Sequence, residues 1–502
     1  MSLKKNVIAN YLGQGWATLM GLAFVPLYIK YLGIEAFGII GIYTILQAWF
    51  VLLDMGMTPT LSREMSRFIG GAHTDGSIRD LLRSLELIAL SVAALICIVV
   101  WAASDWLASD WLQVEKLSVD SVAQAFVIMG AVIALRFIEG LYRGAIVGLQ
   151  RQVLFNVVNA LLATLRGLGA VLVLAFMSPT IEAFFLWQTV ISLFTVIVFA
   201  VIVYRILSPS AYIPHFSRSA LADVWRFAGG VMATTFLVLL LTQVDKMILS
   251  SLLSLQDFGY YSLAAVVTGS LPILVGPITQ AYYPRMTELI TRGDEGGLVA
   301  VYHRGAQTVS VMLGSLGMML IMFSEQIIAL WIGDPNLAHE VALLVTLLGL
   351  GTLFNSFMHI PYMLQLAYGW SSFAAKINTV AVAILIPAIF WVAPRYGAVG
   401  AAWIWVALNS GYVLISIHFM HRRILSLEKW RWYVMDIGYP LAAILITAGI
   451  FRLWYPSILP KPLDLIWLIG ACIMTTLAGA LAASESRNFV VKQLKKLYLT
   501  YV

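Results

Sequence analysis

Charge is what this 502-residue chain has least of: Asp, Glu, Lys and Arg together make up 11% of it, where a soluble globular protein carries about 25%. Cysteine is nearly absent too. Cys97 and Cys472 each sit alone inside an apolar run, which excludes a disulfide framework and a paired-cysteine metal site and leaves both as small core-filling residues. There is no GxxxxGK[ST] phosphate loop, so ATP hydrolysis by the common route is excluded. HExxH and the nucleophile elbow are missing as well. The expectation is a protein that is not an enzyme and uses no cofactor. No stretch between the apolar runs is long enough to build a soluble domain with its own core.

What the chain has in excess is hydrophobic residues, 61% of the total. They fall in runs of about 18–25 residues, each able to cross a hydrocarbon core of about 30 Å. Fourteen such segments are predicted, at 7–30, 37–56, 85–103, 121–147, 153–177, 181–204, 225–252, 258–283, 305–331, 338–367, 373–393, 397–420, 434–453 and 463–482. The tenth is interrupted by Gly349, Gly351 and Pro361. The first run contains Asn10, Gln14, Pro26 and Tyr28 and lacks a small-residue cleavage site, which predicts a retained span and not a signal peptide.

The net charge of +6 points to orientation and not to nucleic acid. With a cytoplasmic N-terminus, 23 of the 31 Lys and Arg residues fall in the even-numbered loops and the two tails. The opposite loops hold Lys30, Lys116, Arg395, Arg452 and Lys461. This asymmetry is the positive-inside pattern and predicts both termini in the cytoplasm. The basic stretch after Arg487 is also placed to meet anionic lipid head groups.

The chain repeats itself at an offset of 221–225 residues. Leu32, Ile34, Phe37 and Gly38 align with Leu253, Leu255, Phe258 and Gly259; Pro59, Glu64 and Arg67 align with Pro284, Glu288 and Arg292; Gly148 and Asn156 align with Gly369 and Asn378. An offset of six spans keeps both copies in the same orientation, so the repeat is parallel. The predicted fold is therefore an all-α polytopic membrane protein of about 14 transmembrane helices. It has a six-helix lobe over 1–222, a second over 223–422, and two extra helices with a basic tail over 423–502. Two-lobed architecture of this kind is typical of carriers that work by alternating access.

A charge near the bilayer centre costs about 2.5–3.5 kcal/mol on insertion scales, so each one is a candidate for function. Arg136 and Glu139 lie in the fourth span with Arg143 one turn further on, and the i, i+3, i+7 spacing puts all three on one helix face. Arg166 lies near the middle of the fifth span with no acid within a turn. Its charge has to be met by another helix, by water or by a ligand anion, and its planar fork suits phosphate. Asp245 and Lys246 lie in the seventh span and Glu325 in the outer third of the ninth. Arg136, Arg166 and Lys246 are the candidate substrate-binding residues; Asp245, Glu139 and Glu325 are candidates for ion coupling or charge pairing. Each of these pairs could equally pin helix packing. The mid-span amides Gln47, Asn156, Asn159, Gln188, Gln243, Asn355, Asn378 and Asn409 add polar capacity, either for sugar hydroxyls or for interhelical hydrogen bonds. His359 and His418 read as packing or interfacial residues.

Five segments carry a family resemblance: KNVIANYLGQGWATLMGLAFVPLYIKYLGIEAFGIIGIY (4–43), QVDKMILSSLLSLQDFGYYSLA (243–264), GPITQAYYPRMTEL (276–289), LWIGD (330–334) and YGAVGAAW (396–403). They resemble the polysaccharide-transport branch of the multidrug/oligosaccharidyl-lipid/polysaccharide exporter superfamily, which includes the O-antigen repeat-unit flippases of lipopolysaccharide biosynthesis. The resemblance implies a flippase of the bacterial inner membrane that carries undecaprenyl-pyrophosphate-linked oligosaccharide from the cytoplasmic to the outer leaflet through a cationic cavity. Asp245, Glu139 or Glu325 could couple such a cycle to protons or sodium. The implied partners are the lipid-linked oligosaccharide, membrane lipids, and the polysaccharide polymerase and chain-length proteins. Asp245 and Lys246 sit inside a matching segment, whereas Arg136 and Arg166 rest on membrane depth alone. The alternative is a cation-coupled multidrug or metabolite antiporter of the same superfamily. A membrane glycosyltransferase, polymerase or ligase would need a large outer loop, and the longest here, about 104–120, is too short.

Overall fold

The computed structural model of the chain describes residues 3–207, 214–456, 460–485 and 487, with side chains described throughout these ranges except at 3–8 and 218–234. The predicted basic tail beyond Arg487 lies outside the described residues. The chain forms two compact units, Met1–Ser262 and Leu263–Val502. The first contains α1 (Leu3–Ala23), α2 (Val25–Phe50), α3 (Met57–Ile69), α4 (Asp75–Trp106), α5 (Val119–Gly148), α6 (Gln152–Phe176), α7 (Ile181–Ile206), α8 (Arg218–Leu252) and the start of α9 (Leu255–Gly269). The second continues with α10 (Val275–Arg292), α11 (Glu295–Met322), α12 (Ser324–Ile332), α13 (Pro335–Phe357), α14 (His359–Ala367), α15 (Ser371–Gly411), α16 (Ile417–His421), α17 (Lys429–Arg431), α18 (Tyr439–Leu453) and α19 (Lys461–Ala482). No strand occurs among the described residues. In lipid a helix satisfies its own backbone, which is why apolar runs of this length become helices.

Twelve helical stretches among the described residues are long and apolar enough to cross a membrane, and the chain is an all-α polytopic membrane protein. One of them, Ser371–His421, runs for 51 residues, far beyond the roughly 20 that one crossing needs. It breaks at Gly397 (φ 58°, ψ −147°), so it supplies both the eleventh and the twelfth predicted spans. Gly33 (φ 82°, ψ 169°) breaks α2 between the first two. Only glycine adopts such angles without strain.

The core of the first unit is built from α3, α4, α5 and α7, with Leu61, Met65, Leu82, Leu85, Ala145, Ile146, Phe199 and Val203 fully enclosed. The amphipathic helix α3, expected as loop, lays Met57, Leu61 and Met65 on this core. It starts at a tight turn in which Gly56 has φ 76° and Asp54 accepts hydrogen bonds from the Thr58 amide (3.1 Å) and hydroxyl (2.7 Å). In the second unit α11 is the central helix, with 72% of its most apolar stretch buried; α18 and α19 pack on it and on each other. Lipid tails are as apolar as leucine, so close packing and hydrogen bonds hold these helices together, and small residues at the contacts help. Gly314 and Gly479 meet Ile444 in this way. On the outer surfaces Ile98, Trp101, Leu161, Val190, Ile384, Ile446 and Ile473 are exposed, as a face against lipid requires.

The loop after α4 is ordered by the first unit itself. Buried Glu35 accepts hydrogen bonds from the backbone amides of Glu115 (2.7 Å) and Lys116 (3.0 Å). The Gln113 carbonyl accepts from the Leu255 amide at 2.8 Å.

Candidate functional site

Helix α5 carries Glu139, the acid shared by a small cluster of charges within the predicted spans. Its neighbour one turn back, Arg136, donates from Nη1 to both carboxylate oxygens, at 3.2 and 3.3 Å. From α6, Arg166 brings Nη2 to 3.7 Å of the other side of the same carboxylate. The structure therefore answers part of the question left by sequence: a second helix supplies an acid for Arg166, but that acid is shared. All three side chains are largely buried, at 23%, 10% and 16% exposure for Arg136, Glu139 and Arg166.

Two guanidinium groups on one carboxylate leave a formal charge of +1. They also leave hydrogen-bonding capacity unused. Nε of Arg136 and both Nε and Nη2 of Arg166 are buried without a hydrogen-bond partner; 3.7 Å is an ion-pair distance and too long for a hydrogen bond. A buried donor without a partner costs about 1–3 kcal/mol, more when charged, so the cluster is poised to gain from an acceptor such as a phosphate oxygen. The Tyr43 hydroxyl lies buried beside Arg136. The level of Arg166 is fixed by α7, where the Trp187 indole N–H donates to the Arg166 carbonyl at 3.0 Å.

A cavity of about 340 Å³ within the first unit opens on the Arg136 and Glu139 side of this cluster; Arg166 stands behind Glu139 and is not among the lining residues. Arg136, Glu139 and Arg143 line it from α5, Gln47 and Asp54 from the end of α2 and its following turn, and Thr235 from α8. Thr58, on the Asp54-capped turn, lies against Gly144: a Cβ there would fall 2.8 Å from the Thr58 carbonyl oxygen. The close approach of that turn to α5 thus brings Asp54 to the cavity wall.

No described contact joins the other sequence candidates to this cluster. Asp245 accepts from the Tyr261 hydroxyl at 2.8 Å, and its Oδ1 is buried without a partner. Lys246 is half-buried, and no described ion pair joins it to Asp245 or to Glu139. Glu325 belongs to the second unit, in the first turn of α12, where it is 45% exposed and 3.2 Å from His339. Among the amides, Gln47 lines the cavity. Asn156 donates to Asn10 at 2.6 Å, Asn355 to Asn409 at 2.8 Å, and Asn378 accepts from Tyr412 at 2.9 Å; these three hold helices together.

Sequence reasoning missed Asp54 and Thr58 because they fall at or beyond the end of the second predicted span, and Thr235 because a lone threonine inside the seventh span carries no charge to mark it. It also missed a buried cluster in the second unit around His303 and Asp436. An aspartate inside the apolar run 434–453 was the available signal.

Comparison with known proteins agrees with this architecture. A Shigella flexneri protein named "Putative O-antigen transporter" is 21% identical over 411 residues, covering 81% of this chain and 94% of that protein. The solved structure of the lipid II flippase MurJ in an inward closed conformation superposes with a TM-score of 0.66 at 13% identity, over 95% of this chain and 98% of that one. An inward-facing multidrug resistance MATE family transporter of the MOP superfamily gives 0.64 at 15% identity, over 82% and 96%. These two share the fold. The model of a family described as polysaccharide biosynthesis protein matches residues 3–290, more than half of the sequence. The chain therefore belongs to the polysaccharide biosynthesis protein family.

Proposed function

We propose that this protein is a flippase of the bacterial inner membrane, with both termini cytoplasmic. It carries undecaprenyl-pyrophosphate-linked oligosaccharide repeat units, of O-antigen or another polysaccharide, from the cytoplasmic to the outer leaflet by alternating access. The observation that carries this reading is the pair of arginines on one glutamate, with three buried guanidinium donors unpartnered, where Arg136 and Glu139 line a cavity and Arg166 backs them. A pyrophosphate and its sugars cannot enter hydrocarbon unaided, because desolvated charge and unpaired polar groups cost too much there. The polyprenyl tail has no such barrier. A protein that offers arginine donors to the head group while the tail stays in lipid lowers the barrier without making or breaking a covalent bond.

In this scheme Arg136 and Arg166 bind the pyrophosphate, with Lys246 a further cation on its path. Gln47 and Thr235 face the cavity where sugar hydroxyls pass. Asp245 and Glu139 are proposed to couple the cycle to protons or sodium; Glu325, exposed and paired with His339, is proposed as charge pairing. The positive balance of the cluster favours an anionic cargo over the cationic drugs of an antiporter. The test is a pair of assays on the same proteoliposomes. One follows a polyprenyl-pyrophosphate oligosaccharide from one leaflet to the other, and the second follows efflux of a cationic dye. Lipid translocation without dye efflux supports the flippase; dye efflux without translocation, under a proton or sodium gradient, establishes the antiporter.

A further inference from the structure

Far from the arginine cluster in sequence, the second unit encloses a histidine with a carboxylate on each ring nitrogen. His303, on α11, is fully buried. Its Nδ1 lies 2.5 Å from Asp436 Oδ2 and its Nε2 lies 2.9 Å from Glu428 Oε2. Asp436, in the π-helical turn Trp432–Gly438, is also fully buried, and Glu428 is 21% exposed.

Proton counting makes this arrangement informative. A neutral imidazole has one N–H and one lone pair. Between two ionised carboxylates it satisfies one contact and turns its lone pair on the other. Both contacts are hydrogen bonds only if the three groups hold two protons among them: an imidazolium between two carboxylates, or a neutral ring with one carboxyl protonated. That extra proton belongs to the triad and not to one residue. The other buried histidine of the region differs. His421 sets Nδ1 against the Ile417 carbonyl at 3.1 Å and Nε2 against the Tyr302 hydroxyl at 3.3 Å. The neutral ring satisfies both of those.

The surrounding groups fit a bound proton. Asp436 Oδ1 accepts from Gln307 Nε2 at 2.9 Å. Glu428 lies 3.5 Å from Arg431, so triad plus arginine is neutral with the proton and carries −1 without it. Lys429 lies against His418 at 2.7 Å, Tyr433 donates to the Val413 carbonyl at 2.7 Å, and Arg304 pairs with Glu485 at 3.4 Å. None of these can replace the missing donor between His303 and its two acids. Gln307 also links the triad to the end of α19. Its Nε2 donates to Ser484 Oγ at 3.3 Å and its Oε1 accepts from the Glu485 amide at 2.8 Å.

We propose that His303, Asp436 and Glu428 form a proton-binding site whose bound proton fastens the segment leading into α18, and the end of α19, to α11. Removing the proton breaks one of the two imidazole hydrogen bonds and leaves an uncompensated negative charge beside α11, so the C-terminal helices are held less firmly as the pH rises. This inference does not depend on the cargo.

The test is thermal unfolding of the full-length protein in detergent from about pH 6 to about pH 9, for wild type, Glu428→Gln and Asp436→Asn. Either amide donates to the bare ring nitrogen and accepts where the carboxylate did, so a neutral imidazole is then fully bonded. The wild-type unfolding temperature is expected to fall across this range. In each variant that fall is lost, and the variant is at least as stable as wild type at the alkaline end. A variant that keeps the wild-type slope overturns the proposal, as does a flat wild-type profile. Failure of both variants to fold at every pH also overturns it, since each is expected to satisfy the site.

Discussion

Gly38 and Gly259 occupy equivalent places in the sequence repeat and pack reciprocally. A Cβ on Gly38 would fall 2.6 Å from the Leu255 carbonyl oxygen, and one on Gly259 would collide with the Ile34 carbonyl. Because Ile34 and Leu255 are themselves equivalents at the same offset of 221 residues, one contact is the image of the other. Gly41 lies against Ser262, its own equivalent, so a local pseudo-two-fold axis passes between them. The backbone oxygens cannot retreat as a flexible side chain could. Gly38→Ala and Gly259→Ala are each expected to destabilise the protein by about 1–3 kcal/mol, the usual range for overpacking. In the double variant the losses should fall short of additive, because one shift of α2 from α9 relieves both clashes. Chemical or thermal unfolding of the three variants checks this.

The Arg136–Glu139–Arg166 cluster predicts an asymmetry between stability and transport. Glu139→Gln leaves two buried guanidinium groups without an anion, a change that costs about 3–5 kcal/mol when a buried pair is broken. Arg166→Ala leaves Glu139 still paired with Arg136 at 3.2 Å and should cost markedly less. Unfolding temperatures of the two variants, side by side, test which arginine carries the pairing.

Glu86 binds two tyrosine hydroxyls, from Tyr142 at 2.9 Å and Tyr204 at 2.7 Å, and joins α4, α5 and α7. Tyr142→Phe is expected to cost about 1 kcal/mol, the loss of one hydrogen bond to a charged acceptor that keeps another partner. Tyr204→Phe should cost a similar amount, and Tyr142→Phe combined with Tyr204→Phe more than their sum. Denaturant unfolding of the two single variants and the double variant measures this.

At the cytoplasmic end proposed for α3, the Glu64 carboxyl is subject to opposing effects. Burial pushes it up, but hydrogen bonds from His73 and Arg63 and the charges of Arg63 and Arg67 outweigh burial and hold it below its ordinary value of 4.5. The unfolded chain therefore takes up the proton first as the pH falls. The stabilisation is complete above about pH 4.5 and is lost below that, as the pH drops through the lower folded value. Glu64→Gln is expected to flatten this acid limb while leaving the profile between about pH 6 and pH 8 parallel to wild type. A pH series of unfolding temperatures separates the two limbs.

Much of the architecture was legible because length and polarity decide it. Apolar runs in lipid have one answer, and at two of the positions matched in the repeat the structure has like ion pairs: Glu64–Arg67 at 3.0 Å and Glu288–Arg292 at 2.7 Å. The sharp break at Gly33 falls between predicted spans, and the one at Gly397 falls on the first residue of the twelfth. Helix α3 was not legible, because only thirteen residues with a strongly polar face read as loop when hydropathy alone is followed. At the site, the i, i+3 geometry predicted Arg136 beside Glu139. No spacing rule could predict that Arg166 shares the same acid from α6, since contacts between helices depend on how they pack. The same limit hid the meeting of His303 with Asp436, 133 residues apart.

The most direct measurement of the central claim is the rate at which a polyprenyl-pyrophosphate oligosaccharide changes leaflet in proteoliposomes, compared at equal amounts of folded wild type, Arg166→Lys and Arg166→Ala. Loss of one charge-assisted contact is worth about 1.5–3 kcal/mol, so Arg166→Ala should slow translocation by about tenfold or more. Arg166→Lys should recover part of the rate, because it keeps the charge and loses the fork. Translocation by Arg166→Ala at the wild-type rate would contradict the account and leave Arg166 as a packing residue.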